Sequence, residues 1–215
     1  KSLNLSDNVL TGKIPALSQL HKLTYLNLSN NVLTGIIPDL SNLITLKTLV
    51  LHNNQLSGTI PNTLCELTNL EILNLNNNPL NGVIHPNLND LHKLEHLILS
   101  NNNLIGNIPD LSSLTKLEKL YVNNNRLEGS IPPTLWQLKS LEDLNLAHNQ
   151  LTGEIPDMDM NQLKKLKILD LSENQFSGNK HLVIHAHGKI SLNDNPKLHP
   201  ANLDELEYKY DIQFI

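Results

Sequence analysis

The sequence predicts an α/β-type solenoid, with a curved parallel β-sheet on its concave face and short 3-10 or loop returns closing each coil. Three observations carry that reading. Leucine and asparagine fill 47 and 32 of the 215 positions, while aromatic residues are 3% and charged residues 17%. Such a skew fits a repeated motif rather than a compact core of varied side chains. A phrase L-x-L-x-x-N-x-L-x-G-x-I-P, followed by L-x-x-L-x-x-L, recurs along the chain. Its asparagine falls at Asn8, Asn31, Asn54, Asn78, Asn102, Asn125, Asn149, Asn174 and Asn195, in steps of 23, 23, 24, 24, 23, 24, 25 and 21 residues. Nine such positions predict about nine full repeats, and Ile212 and Phe214 offer the inward pair of a partial tenth.

Each part of the phrase has its own physical task. The L-x-L pair alternates with period two, so its leucines point inward and the residue between them faces solvent. Strands are expected around Leu5, Leu28, Leu51, Leu75, Leu99, Val122, Leu146, Leu171 and Leu192. The asparagine turns the chain inward, and its amide satisfies backbone groups of its own coil and the next. Glycine four residues later allows the backbone to bend, and Ile-Pro holds an extended segment on the flank. The L-x-x-L-x-x-L stretch suits a 3-10 return with its leucines inside. Coils of 23 and 24 residues differ after Ile-Pro ("IPDLSNL" against "IPNTLCEL"), so length variation belongs to the flank or convex side. The coil from Asn174 to Asn195 lacks Ile-Pro and is expected to be the most irregular.

The phrases "LNLSNNVLTGIIPDLSNLITLKTL" and "LNLAHNQLTGEIPDMDMNQLKKLKIL" resemble the plant-type leucine-rich repeat. That repeat occurs in ectodomains of receptor-like kinases, in receptor-like proteins and in polygalacturonase-inhibiting proteins. The resemblance is close over residues 1–178 and looser to Asn195, so residues 1–215 read as one domain, regular over 1–178 and irregular over 179–215. It implies a non-enzymatic recognition module, extracellular or at the cell surface, that binds a peptide, protein or glycan. The family's flanking cysteine pairs are absent: Cys65 stands alone and reads as partly buried filler. The chain opens inside a strand at Lys1 without an initiator methionine, so Lys1 is expected to be a processing or truncation point, with upstream sequence missing.

The other function classes lose ground on composition. A formal charge of −5 argues against nucleic acid. No apolar run reaches the roughly 18 residues of a membrane span. No catalytic motif, cofactor loop or paired-carboxylate site is recognisable; Asp39, Asp110 and Asp157 recur after Ile-Pro as decoration of a turn. Ten histidines include His181, His185 and His187, but no cysteine or carboxylate completes a tetrahedral set beside them, and no metal site is assigned.

A ligand would meet the outward strand positions, which stack into columns. Most are polar. Between the second and sixth coils, however, Tyr25, Val50, Ile72, Ile98 and Tyr121 gather with His52 and His96 beside them. At about 4.8 Å per strand this group covers about 20 Å, a footprint suited to a peptide or protein. Two N-x-S sequons, at Asn4 and Asn27, place glycosylation on the same face near its first coils. The alternative function is structural: copies of the chain stacking end to end into filaments through open coil ends. An ice- or surface-binding solenoid using the asparagine-rich face is weaker, because a curved sheet matches a flat lattice poorly.

Overall fold

The computed structural model describes residues 1–155, 163–178 and 189–198. Nine three-residue strands, Ser2–Asn4, Tyr25–Asn27, Thr48–Val50, Ile72–Asn74, His96–Ile98, Lys119–Tyr121, Asp143–Asn145, Ile168–Asp170 and Lys189–Ser191, form one parallel sheet in sequence order. We number the coils 1 to 9 by these strands; eight turns join them. Their register is uniform, with Leu26 against Leu49, Leu49 against Leu73 and Leu73 against Leu97. The inward leucines from Leu26 to Leu171 are buried in a single continuous core, which no coil could make alone. Coil 1 differs: Leu5 stays 40% exposed. The tenth strand expected at Ile212 and Phe214 lies outside the described residues.

The periodic asparagine works backwards along the solenoid as well as within its own coil. Asn78 Nδ2 donates to the carbonyls of Leu75 and Asn76 in its own coil and to Leu51 in the coil before. Its Oδ1 accepts from the backbone N–H of Leu56, also in the preceding coil. The sequence reading placed the second partner in the following coil; the structure places it in the preceding one. The residue before each of these asparagines sits in the left-handed region, with φ from 51° at Glu173 to 57° at Asp7. Seven of those nine positions are Asn or Asp, the side chains that tolerate this conformation best.

Past the asparagine the chain pairs again. Short strands such as Val32–Gly35, Asn103–Asn107 and Gln150–Glu154 make a second parallel ladder along the flank, three strands in one sheet and seven in another. Only an extended segment was expected there. From Gly12 to Gly153 its glycines have φ near +80°, for example +78° at Gly58, so no other residue is easy at these positions. A Cβ on Gly58 would lie 2.9 Å from Ile36 Cγ2, and one on Gly82 would lie 2.8 Å from Thr59 Cγ2. From Gly35 to Gly153 each glycine therefore also seats the side chain that follows the previous coil's glycine. In coils 2 to 5 the outward flank residues are Thr34, Ser57, Asn81 and Ile105 before the glycine, and Ile36, Thr59, Val83 and Asn107 after it. None is charged.

The returns obey coil length. The 24-residue coils 3, 4 and 6 carry five-residue 3-10 helices, Asn62–Glu66, Pro86–Asp90 and Pro133–Gln137. The 23-residue coils 1, 2 and 5 make turns instead. In two of these an aspartate folds the turn: Asp39 Oδ1 accepts from the N–H of Ser41 at 2.9 Å and Asp110 Oδ1 from that of Ser112 at 3.0 Å. Cys65 and Trp136 occupy equivalent buried places in the first and third 3-10 helices. His85, which replaces the proline, caps the second by accepting from Asn87 N–H at Nδ1. Asp157 and most of the return of coil 7, together with His181, His185 and His187 in coil 8, fall outside the described residues.

Candidate functional site

The concave strands put every second side chain outward, and the uniform register stacks these into straight columns. In the first column Ile72 pairs with His96, and His96 with Lys119. In the second Ile98 pairs with Tyr121. Ile72, His96, Ile98 and Tyr121 thus form one contiguous group over coils 4 to 6, all half-buried. Val50 is separated from Ile98 by Asn74, and Tyr25 from Ile72 by Thr48. These two residues, also half-buried, flank the group rather than join it. His52 lies on the neighbouring column with Nδ1 shielded and without a hydrogen-bond partner among the described residues. Desolvation by burial lowers its pKa, which favours the neutral imidazole.

Electrostatics on this face is organised by a residue that sequence reasoning left in the background. Asp143 is only 9% exposed, yet it sits in the sheet. Its Oδ2 accepts from the Tyr121 hydroxyl at 3.1 Å and lies 3.3 Å from Lys119 Nζ. Burial, and then the bond to Asp143, push the Tyr121 phenol up to about 12. The signal was present in the columns, since Asp143 follows Lys119 in the same register. At the sheet's leading edge Glu71, Glu95, Glu118 and Glu142 stand in successive coils. Lys47 closes one end on Glu71 at 2.7 Å and Lys167 the other on Glu142 at 2.5 Å, while His96 lies 3.7 Å from Glu118. The result is an apolar and aromatic centre bordered on one side by a row of glutamates whose end members, Glu71 and Glu142, are held by lysines.

The sequon residues behave differently from each other. Asn4 is exposed, and its Oδ1 accepts from Ser6 N–H at 3.1 Å. Asn27 is half-buried: its Nδ2 donates to the Tyr25 hydroxyl, and its Oδ1 accepts from both the N–H and the hydroxyl of Ser29. Among the described residues no three His, Cys, Asp or Glu side chains gather closely enough to hold a metal. No helix among them is long and apolar enough to cross a membrane.

Comparison with known proteins agrees with this geometry. The family described as Leucine Rich repeats (2 copies) matches residues 92–135, 115–156 and 139–181. The family described as Leucine Rich Repeat matches residues 22–43, 45–67 and 69–91. No curated protein sequence matches the chain. Among solved structures it is similar to the ectodomain of the Arabidopsis thaliana receptor kinase GASSHO1/SCHENGEN3, solved in complex with CASPARIAN STRIP INTEGRITY FACTOR 2. That similarity is 35% identity and a TM-score of 0.83 over 90% of this chain and 24% of the other. The plant peptide hormone receptor RGFR1, solved with RGF2, gives 33% identity and a TM-score of 0.84 over 93% of this chain and 35% of that one. A plant ice-binding protein gives 33% identity and a TM-score of 0.69 over 83% of this chain and 57% of its own. The chain spans about a quarter to a third of the length of those two receptors. The chain belongs to the leucine-rich repeat family, in its plant-type form.

Proposed function

We propose that the chain is a non-enzymatic recognition module, extracellular or at a cell surface, that binds a peptide on its concave face. The observation that carries this reading is the contiguous group Ile72, His96, Ile98 and Tyr121 on a rigid, registered sheet. Half-exposed aliphatic and tyrosine side chains at the centre of a polar surface are the composition of an interface core. An extended peptide running across the strands would lay side chains on this group, with Val50, His52 and Tyr25 extending the footprint toward coil 2. One of the similar proteins, RGFR1, is described as a plant peptide hormone receptor, which supports a peptide as the ligand. Glycans on Asn4 and Asn27 would cover coils 1 and 2 and leave coils 3 to 6 open. The test is selection of binding peptides from a random library on the purified chain, followed by affinity measurements on Ile98→Ala/Tyr121→Ala. Peptides selected on the parent chain should lose at least tenfold in affinity on a variant with an unchanged fold; unchanged affinity overturns the reading.

A second reading is ice binding, the property named for one similar protein. The observation favouring it is the flank ladder, whose outward residues in coils 2 to 5 carry no charge. The objection that a curved concave sheet fits a flat lattice poorly does not reach this separate surface.

A further inference from the structure

Resting on that second reading, we propose that the ice-binding surface is the outward flank of coils 2 to 5, and that the concave sheet takes no part in it. The two outward residues of each flank segment stand on either side of the glycine. Buried residues close the segment at both ends, from Leu33 and Ile37 in coil 2 to Leu104 and Ile108 in coil 5. Ile36 and Val83 are 64% and 50% exposed, so these side chains stand clear of the core. The strip is bounded by charge on both sides, Lys13 in coil 1 and Glu128 in coil 6. Between those limits it offers only methyl, hydroxyl and amide groups.

Its spacing is set by the backbone. Neighbouring coils are about 4.8 Å apart, and two outward residues in one strand are separated by about 6–7 Å. Both spacings are of the size of water–water repeats in ice. The ladder steps by two residues per coil, so that the residue after one glycine stands beside the residue before the next, Thr59 against Asn81. The glycine seats hold the lateral position of the residue after each glycine, since Ile36, Thr59 and Val83 each pack over the glycine of the next coil. A β-branched residue held at Cγ has little rotamer freedom left to lose. Many weak contacts can then be made at once with a periodic partner at small entropic cost.

The chemistry of the strip discriminates among occupants. Without charge it offers nothing to a nucleic acid or an anionic membrane. Its extent, on the order of 200–300 Å² from the strand spacings, is well below the roughly 800 Å² per partner of a stable protein interface. A polysaccharide would want an aromatic face for its rings, and the outward flank residues of coils 2 to 5 include no aromatic. A neutral, periodic, hydrogen-bonding solid is what remains.

The experiment is partition of the full chain into growing ice, with binding to cellulose and chitin measured in parallel. The variants are Ile36→Lys/Val83→Lys on the flank and Ile98→Ala/Tyr121→Ala on the concave face. Lysine is compatible with the flank position, because Lys13 already occupies it against Gly35; circular dichroism checks the fold of each variant. We expect the parent chain and the concave variant to enter ice equally, and the flank variant to fall at least tenfold. If the parent chain stays in the liquid, the second reading itself fails and the site with it. If the parent enters ice but the concave variant loses uptake while the flank variant keeps it, ice binding stands and this surface is wrong. Uptake by cellulose or chitin that exceeds uptake by ice, lost in the flank variant, overturns the assignment in favour of a polysaccharide.

Discussion

Replacing Asn78 by alanine should destabilise the chain far more than replacing Asn76 two residues earlier. Asn78 is 4% exposed, and its amide makes four hydrogen bonds. The three carbonyls it serves are not all abandoned when it goes. Leu51 O keeps Asn54 Nδ2, Leu75 O keeps Asn102 Nδ2, and Asn76 O keeps the N–H of Asn53. The Leu56 N–H is different, because its bond is to Asn78 Oδ1 and Leu56 is fully buried. One orphaned buried donor costs about 1–3 kcal/mol, and weakening of the shared carbonyls places the total toward the upper end. Asn76 is half-buried and its Oδ1 has no partner among the described residues. Removing it takes away an unsatisfied acceptor, so the change should stay under about 0.5 kcal/mol. Urea unfolding of both variants, with unchanged slopes, reads the difference as a shift in midpoint. Equal midpoints would refute the register and the role given to the asparagine column.

Gly58→Ala should cost about 1 kcal/mol or more beyond Gly12→Ala: both positions have φ near +80°, but only Gly58 faces a stiff Ile36 methyl at 2.9 Å, and Gly12 faces open space. Equal melting temperatures for the two would remove the seat argument. The Tyr121 phenol, raised to about 12 by burial and Asp143, should titrate after an ordinary tyrosine in ultraviolet absorbance, with Tyr121→Phe as the reference. Because the folded state holds that proton more tightly, the stability it contributes is complete below about pH 10. It disappears as pH rises through about 12. Asp143→Asn should bring the value down, and an unmoved titration contradicts the assigned bond.

The fold was legible because the repeat encodes it redundantly. Buried leucines with period two, a fixed asparagine and a fixed glycine all point to one coil, and the coil recurs. The flank ladder was harder to foresee, since L-x-G-x-I is too short and too glycine-interrupted to read as a strand. It pairs because the neighbouring coil presents the same segment, for example Gly106 beside Leu127. The left-handed corner was also hidden: one of two adjacent asparagines is buried and the other bends the backbone, and composition alone does not separate them. At the candidate site the columns were correct, but column membership does not report contact. Tyr25 and Val50 fell away from the central group through single polar interruptions, while Asp143 proved to be its electrostatic anchor. Such pairing depends on side-chain reach, which a periodic pattern leaves unspecified.

The two lengths of coil show why outward positions can diverge without disturbing the frame. Coil 5 is one residue shorter than coils 4 and 6 and folds its return with an Asp110 turn, where they use 3-10 helices. The concave register nevertheless passes through it without a step, from Asn74 to Ile98 to Tyr121 to Asn145. The extra residue is absorbed where each return turns back on itself, and the asparagine bonds on either side hold the strand ends in place. Asp110 even reaches into the next coil, accepting from the Thr134 hydroxyl at 2.7 Å at the start of a 3-10 helix. Rigidity is thus concentrated at the leucines and asparagines, leaving the concave and flank columns free to carry different chemistry. An apolar centre and a charge-free strip can then coexist on one chain without disturbing its frame.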